Sequence, residues 1–373
     1  MEVAVDMGIN QRLPLSEITE EMTTIDLELT DECIMNPDQI LKILLIDSLV
    51  VIAEMERMFV FDREGRFVRS IGSKGRGPGE YIGIRTFTID EKNKIIYIID
   101  QSTIISYDLN GKFLKQITLS NLHRGQILGL YCFNEELLLL AESVNEGQIE
   151  SYKRLKCYHS VLYKVNDELQ FMDSCFIRNV YFETTFRMGL LKEYLTCNHS
   201  DVYFYYPELF SLGINFIPAL QSMGPMKRIS RDTLYRFENN QLIPELKLIF
   251  KRNGRDYDAD KYIGLHEMYR SSRYIFAEYE IGTDRSSHFY YCFDTKTGIT
   301  YNSKYSREEL HEKVIRPIGN DTELFYYWRT HDENELHSKL NPTLTTTPQS
   351  LRSHRNDLHN ERNPTLYIGR LKQ

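Results

Sequence analysis

Apolar and polar residues alternate along this chain in short runs of period two, and clusters of turn-forming residues close each run. One such unit reads Met58-Phe-Val-Phe-Asp62-Arg-Glu-Gly65-Arg-Phe67-Val-Arg-Ser-Ile71. It returns as Ile104-Ile-Ser-Tyr-Asp108-Leu-Asn-Gly111-Lys-Phe113-Leu-Lys-Gln-Ile117. Asp62 and Asp108, Gly65 and Gly111, and Phe67 and Phe113 all keep an offset of 46 residues. Each copy predicts strand, Asp-x-x-Gly turn, strand: the Asp side chain bonds the turn backbone and the Gly takes the left-handed conformation. Weaker copies surround Asp167 and the segment Asp294-Thr-Lys-Thr-Gly298. A period of about 40–50 residues with four short strands per repeat is that of propeller blades.

Between the first two copies lies Arg69-Ser-Ile-Gly-Ser-Lys-Gly-Arg-Gly-Pro-Gly-Glu-Tyr81. Gly72, Gly75, Gly77 and Gly79 with Pro78 cannot form an element interior, so this is a shaped loop. It is not a phosphate cradle, because Gly72-x4-Gly77 is followed by Pro78-Gly79 where a P-loop needs Lys and Ser or Thr. The dinucleotide spacing also fails, and residues 82–90 read as strand, not helix.

The string Ile71-Gly-x-x-Gly-x-Gly-Pro-Gly-Glu-Tyr81, with Phe87-x-Ile-Asp90, Ile96-Tyr-Ile98, Asp100 and Tyr107-Asp-x-x-Gly-Lys-Phe113, resembles a bacterial six-bladed β-propeller family related to NHL repeats. Asp232-Thr-Leu-Tyr-Arg236 with Pro244 and Phe250 is similar to that family's fourth-blade pattern. Asn363-Pro-Thr-Leu-Tyr-Ile368 followed by Leu371-Lys372 is similar to its closing strand. The resemblance implies an all-β, six-bladed propeller, in proteins often exported to the periplasm or cell surface and lipid-anchored. Where NHL repeats carry Asn-Arg-Ile this chain has Ser102-Thr-Ile104, so their nucleic-acid and peptide roles are not carried over.

In chain order, residues 1–20 read as a loose arm and 21–373 as one propeller domain. The isolated alternating run Thr24-Ile-Asp-Leu-Glu-Leu29 is expected to pair with residues 365–371 and close the ring, hiding an open sheet edge. Blades are expected at about 38–71, 83–118, 125–175, 180–250 and 262–305, with the last around 323–328. An insertion at 143–158 is expected to split the third blade. Residues 332–363 change period and read as a polar, surface helical insertion with a thin apolar stripe.

Composition narrows the function classes. With 373 residues, a net charge of −8 and no basic cluster, the chain is not expected to bind nucleic acid. Its 25 Tyr and 19 Phe fit strands packed between blades. Six scattered cysteines without Cys-x-x-Cys read as buried free thiols. No stretch is long enough for a transmembrane segment, and the N-terminus has no basic-then-apolar signal pattern.

Local catalytic motifs are not found. His266-Glu267 would begin a zinc helix, but position 270 is Arg, and His311-Glu312 fails in the same way. There is no Gly-x-Ser-x-Gly elbow. Propeller sites instead gather one side chain per blade around the central channel. Arg85, Arg187, His266 and Arg316, with Lys42 and Glu267, fall on expected innermost strands, and Arg76 lies in the glycine loop. Glu80 is expected to pair with Arg85 at the blade junction. Such a set of Arg residues suits an anionic ligand. Two classes follow: a non-catalytic module binding a small molecule, glycan, peptide or protein, with no cofactor, or a metal-dependent hydrolase or lyase of the lactonase-like propeller type.

Overall fold

The computed structural model describes residues 1–119, 125–133, 136–150, 153–166, 168–187, 190–196, 202–206, 209–213, 233–238, 241–256, 263–281, 288–306, 314–318, 321–330 and 362–373. The protein is an all-β propeller, with helix among these residues confined to Leu15–Ile18 and the 3-10 turn Pro37–Gln39.

Sheet I comprises Ile40–Ile46, Leu49–Glu54, Met58–Asp62 and Phe67–Ser70, ordered from the centre outward. Sheet II repeats it with Thr86–Asp90, Ile95–Asp100, Thr103–Asp108 and Phe113–Thr118. Sheet III has five strands: Gly125–Phe133, Glu136–Glu150, Lys153–Val165, Phe171–Arg187 and Leu190–Thr196. Sheet V is Ile263–Arg270, Tyr274–Ile281, His288–Asp294 and Thr300–Tyr305. Sheet VI is Arg316–Ile318, Asp321–Arg329, Thr365–Leu371 and, outermost, Thr19–Asp26 from the other end of the chain.

These five sheets are antiparallel throughout. Sheet IV departs from the pattern expected of six like blades. It runs Leu209–Gly213, Val202–Tyr206, Thr233–Glu238, Gln241–Arg252, Glu2–Asp6, and two of its pairings are parallel. Among the described residues there are therefore five antiparallel blades, one mixed sheet and, in the glycine loop, a two-residue parallel ladder of Ser73–Lys74 with Glu80–Tyr81. The insertion expected to split the third blade is instead a long hairpin, in which Leu137 to Glu150 pair continuously with Val165 to Lys153. The helical segment expected at 332–363 falls, up to residue 361, outside the described residues.

The repeat is visible in the turns. Asp62 Oδ1 accepts the N–H of Glu64 (3.0 Å) and Arg66 (2.9 Å), with Gly65 at φ 85°. Asp108 Oδ1 likewise accepts from Asn110 and Lys112, both at 2.9 Å, with Gly111 at φ 80°. Asp294 Oδ1 accepts from Lys296 at 2.9 Å, with Gly298 at φ 74°. In the third blade Asn166, beside the expected Asp167, takes this role by accepting from Gln170 at 2.8 Å.

The core lies between adjacent sheets, one apolar layer per junction. Val51, Met58 and Tyr81 of the first junction meet Phe87, Ile98 and Tyr107. Tyr269, Phe276, Tyr290, Phe325 and Tyr327 fill the space between sheets V and VI. Ring closure follows the expected pairing in part: Ile25 lies opposite Leu366, but the strand runs Thr19–Asp26, so it starts earlier and the expected residues 27–29 lie beyond it. Asn363 fastens this seam: its Nδ2 donates to the carbonyls of Glu28 (2.6 Å) and Cys33 (2.7 Å), and its Oδ1 accepts from Met35 N (2.8 Å).

The first twenty residues, expected as a loose arm, are tied down. Val3 and Val5 alternate into the core between sheets IV and V, Val5 being 0% exposed. Tyr291 Oη donates to Ala4 O (3.0 Å) and Asn302 Nδ2 to Asp6 O (3.2 Å). The short Val-Ala-Val alternation is a strand signal that pairs with a partner some 240 residues away, at Lys247–Lys251.

Candidate functional site at the propeller mouth

Because the chain enters sheets I, II, III, V and VI at the central strand and works outward, these inner strands all begin at one end of the channel. Arg316–Ile318 lies beside Ile40–Ile46, which lies beside Thr86–Asp90, which lies beside Gly125–Phe133. On the other side Leu209–Gly213 lies beside Ile263–Arg270.

The inner strands of sheets I, III and V each carry a one-residue β-bulge and these coincide, while sheet VI shifts register elsewhere, between Pro317 and Ile318. In sheet I, Ile40 pairs with Glu54 and Lys42 with Ala53, leaving Leu41 extra. In sheet III, Leu128 is extra between Ile127, opposite Ala141, and Gly129, opposite Leu140. In sheet V, His266 is extra between Leu265, opposite Tyr279, and Glu267, opposite Glu278. Counting outward from each inner hairpin puts Ala53, Leu140 and Glu278 at one level of the second strand. Sheet II reaches that level at Ile99, opposite Thr86, and Arg85 N donates to Ile99 O at 2.9 Å. Leu41, Arg85, Leu128 and His266 thus hold equivalent positions on four inner strands. Leu41 is 39% exposed and Arg85 is also exposed. Bulges re-aim side chains and are enriched next to ligand sites.

Lys42 follows the first bulge. Its Nζ donates to Phe87 O of the next inner strand at 3.1 Å and lies 5.6 Å from the Phe87 ring centroid. Burial disfavours the ammonium and pushes its pKa down to about 8. Arg316 is half-buried, its guanidinium 3.8 Å from Glu278 Oε2 and stacked 5.7 Å over Trp328. Tyr305 donates to the other oxygen of Glu278 at 2.5 Å. Glu278 and Tyr305, neither singled out in the sequence, therefore hold Arg316 at the seam of sheets V and VI. Only the sheet register could have revealed that link.

The other expected residues separate. Arg76 is exposed in the glycine loop. Glu80 does not pair with Arg85 but closes its own loop, accepting Gly77 N at 2.7 Å. Gly75 N instead donates to Tyr81 O at 2.9 Å, and a Cβ added at Gly75 would collide with the Glu80 carboxylate. Tyr81 Oη donates to Ile71 O (2.8 Å) and Tyr107 Oη to Gly79 O (2.7 Å), fixing the loop on sheet II. Arg187 is not on an inner strand: it ends the fourth strand of sheet III, because the run from Phe171 continues pairing along the long hairpin. Among the described residues no three His, Cys, Asp or Glu side chains converge as metal ligands. Cys33, Cys132, Cys175 and Cys292 are buried free thiols, and no described helix is long and apolar enough to cross a membrane.

With fold and mouth established, comparison with known proteins places the chain. A sequence family described as a domain of unknown function, DUF4934, matches residues 1–370. The chain belongs to the DUF4934 family. No curated protein matches this DUF4934 chain. A crystal structure of an inferred exported protein from Bacteroides fragilis NCTC 9343 is similar to it over 100% of this chain and 99% of that one, with TM-score 0.60 and 16% identity. That likeness extends the fold alone. The WD40 domain of SCAP from fission yeast covers 84% of each chain at TM-score 0.32 and 7% identity. The Neurospora crassa Pan2 WD40 domain covers 89% of this chain and 75% of its own at TM-score 0.30 and 10% identity. At those scores neither bears on function.

Proposed function

We propose that this DUF4934 protein is a non-catalytic binding propeller that recognises a glycan, peptide or protein at the mouth of its central channel. The observation that carries the reading is the repeated bulge level, at which Leu41, Arg85, Leu128 and His266 recur on four inner strands. A bulge costs ladder hydrogen bonds, and keeping it at one level in several repeats is what a shared ligand-facing position would require. Arg85, Lys42 and Arg316 give that mouth a cationic set suited to carboxylates or acidic sugars, with Arg76 apart from it in the glycine loop. Arg316 is the least available of them, since Glu278 already engages it.

In this reading the mixed sheet IV serves as the sixth blade, and the kinship with NHL-related propellers rests on the glycine-loop and closing-strand motifs. Export is part of the proposal, supported by the similarity to an inferred exported protein.

The test is an array of acidic and neutral glycans and peptides probed with wild type and with the double variant Arg85→Met/His266→Ala. Binding of an acidic class by wild type alone supports the proposal. Elemental analysis of the same preparation guards the alternative: a stoichiometric divalent metal with hydrolytic turnover would replace binding by lactonase-like chemistry.

A further inference from the structure

Sheets I and II place a carboxylate at the same point of their repeat, the end of the second strand. In sheet I it is Glu54, which is 1% exposed. One of its oxygens accepts the backbone N–H of Asn36, and the other holds the Arg57 guanidinium at 3.0 Å. Forty-six residues on, Asp100 is 8% exposed and its Oδ2 accepts the N–H of Ile82 at 2.7 Å. Asn36 and Ile82 keep the same offset, so the backbone half of the arrangement is copied intact. The guanidinium half is not. The counterpart of Arg57 is Thr103, paired opposite Asp100, whose hydroxyl lies 3.3 Å from Thr118 Oγ1. Asp100 Oδ1 is buried and has no hydrogen-bond partner among the described residues.

A buried carboxylate oxygen without a donor is costly, and charge-assisted bonds from a guanidinium are among the strongest remedies. We infer that Asp100 is a seat for an arginine guanidinium of a partner polypeptide, filling in sheet II the role that Arg57 fills internally in sheet I. The flanking residues suit an incoming side chain. Gln101 forms the hairpin tip at φ 52° and is exposed, and Ile82 is 40% exposed. Oδ1 itself is closed to solvent, so an arginine would enter by displacing these surface side chains beside the glycine loop. Arginine fits better than lysine, because its planar fork can span two acceptors at a junction. The seat rests on residues other than the cationic set proposed above, so either can fail alone.

The probe is acetyl-Gly-Arg-Gly-amide, with the citrulline tripeptide as its uncharged isostere, titrated into wild type, Asp100→Asn and Thr103→Arg. The readouts are the Ile82 amide resonance and the Tm. The arginine peptide should move the Ile82 resonance and raise the Tm of wild type, with the citrulline peptide at least about tenfold weaker. Asp100→Asn should lose the response. Thr103→Arg should supply its own guanidinium, raising the Tm without peptide and blocking the peptide shift. No response of wild type at about 10 mM peptide, some 2.7 kcal/mol of binding free energy, would overturn the inference. So would an equal response in Asp100→Asn, which settles the matter even if Thr103→Arg does not fold.

Discussion

Arg85 and His266 occupy the same place on the inner strands of two different sheets. Arg85 N meets Ile99 O at 2.9 Å just before the Thr86–Ile99 pair, and His266 is the extra residue just before the Glu267–Glu278 pair. Nothing in their sequence neighbourhoods aligns them, since the inner hairpins of the sheets differ in length. The register does, and it turns two isolated polar residues into members of one ring.

Lys42 follows Leu41 of that ring and should behave as a nucleophilic amine. With its pKa held down to about 8 by burial, half of it is neutral at that pH. Because the folded pKa lies below the unfolded one, stability should rise as pH increases from about 8 towards 10.4, the range where only the unfolded chain holds the proton. Acylation followed by peptide mapping should label Lys42 ahead of exposed lysines at pH 8, and a uniform pattern would count against the desolvated site.

Arg273 and Asp294 form the strongest described ion pair of sheet V, with two contacts at 2.9 and 2.7 Å. The Arg273 hydrogen bond is the main reason the Asp294 carboxyl sits well below the usual range. Its contribution is complete above the unfolded carboxylate pKa of about 3.9 and is lost as pH falls through the folded value. Asp294→Asn should cost about 3 kcal/mol at neutral pH and flatten the acid limb of the unfolding curve. Chemical denaturation between pH 2 and 7 checks both.

Val5 tests the anchoring of the N-terminal strand. Fully buried between sheets IV and V, it should cost about 2 kcal/mol on Val5→Ala. Deleting residues 1–9 should lower the Tm clearly. A truncation that melts like the full chain would mean that Glu2–Asp6 does not hold the sheet edge.

Gly79 tests the glycine loop. At φ +74° an added Cβ would meet the Phe113 ring at 2.7 Å, a ring that packs edge-on against Tyr107. Gly79→Ala should destabilise by about 2–4 kcal/mol, combining left-handed strain with steric overlap. Gly83→Ala, which meets only Met55 O at 3.4 Å, is the mild control. Equal melting of the two would refute the loop geometry.

Much of the fold was legible because it rests on local signals. The Asp62, Asp108 and Asp294 turns are written in adjacent residues, and so is the closing run around Leu366 and Ile368. The misread parts depend on distant partners. Val3 and Val5 make sense only against Leu248 and Phe250, and Arg187 leaves the candidate set only once the long hairpin of sheet III is seen. The candidate site was half visible: Lys42, Arg85, His266 and Arg316 stand on or at inner strands. Their relation, and the part played by Glu278 and Tyr305, required the register.

A ligand at the mouth, at the level of Arg85 and His266, is what the proposed function requires. The most direct measurement is binding of wild type and of Arg85→Met/His266→Ala to one array of acidic and neutral glycans and peptides, with Tm recorded for both proteins. An acidic class should be bound by wild type and weakened at least about tenfold in the double variant at unchanged Tm. Retention of that binding by the double variant, at equal strength and equal stability, would contradict it.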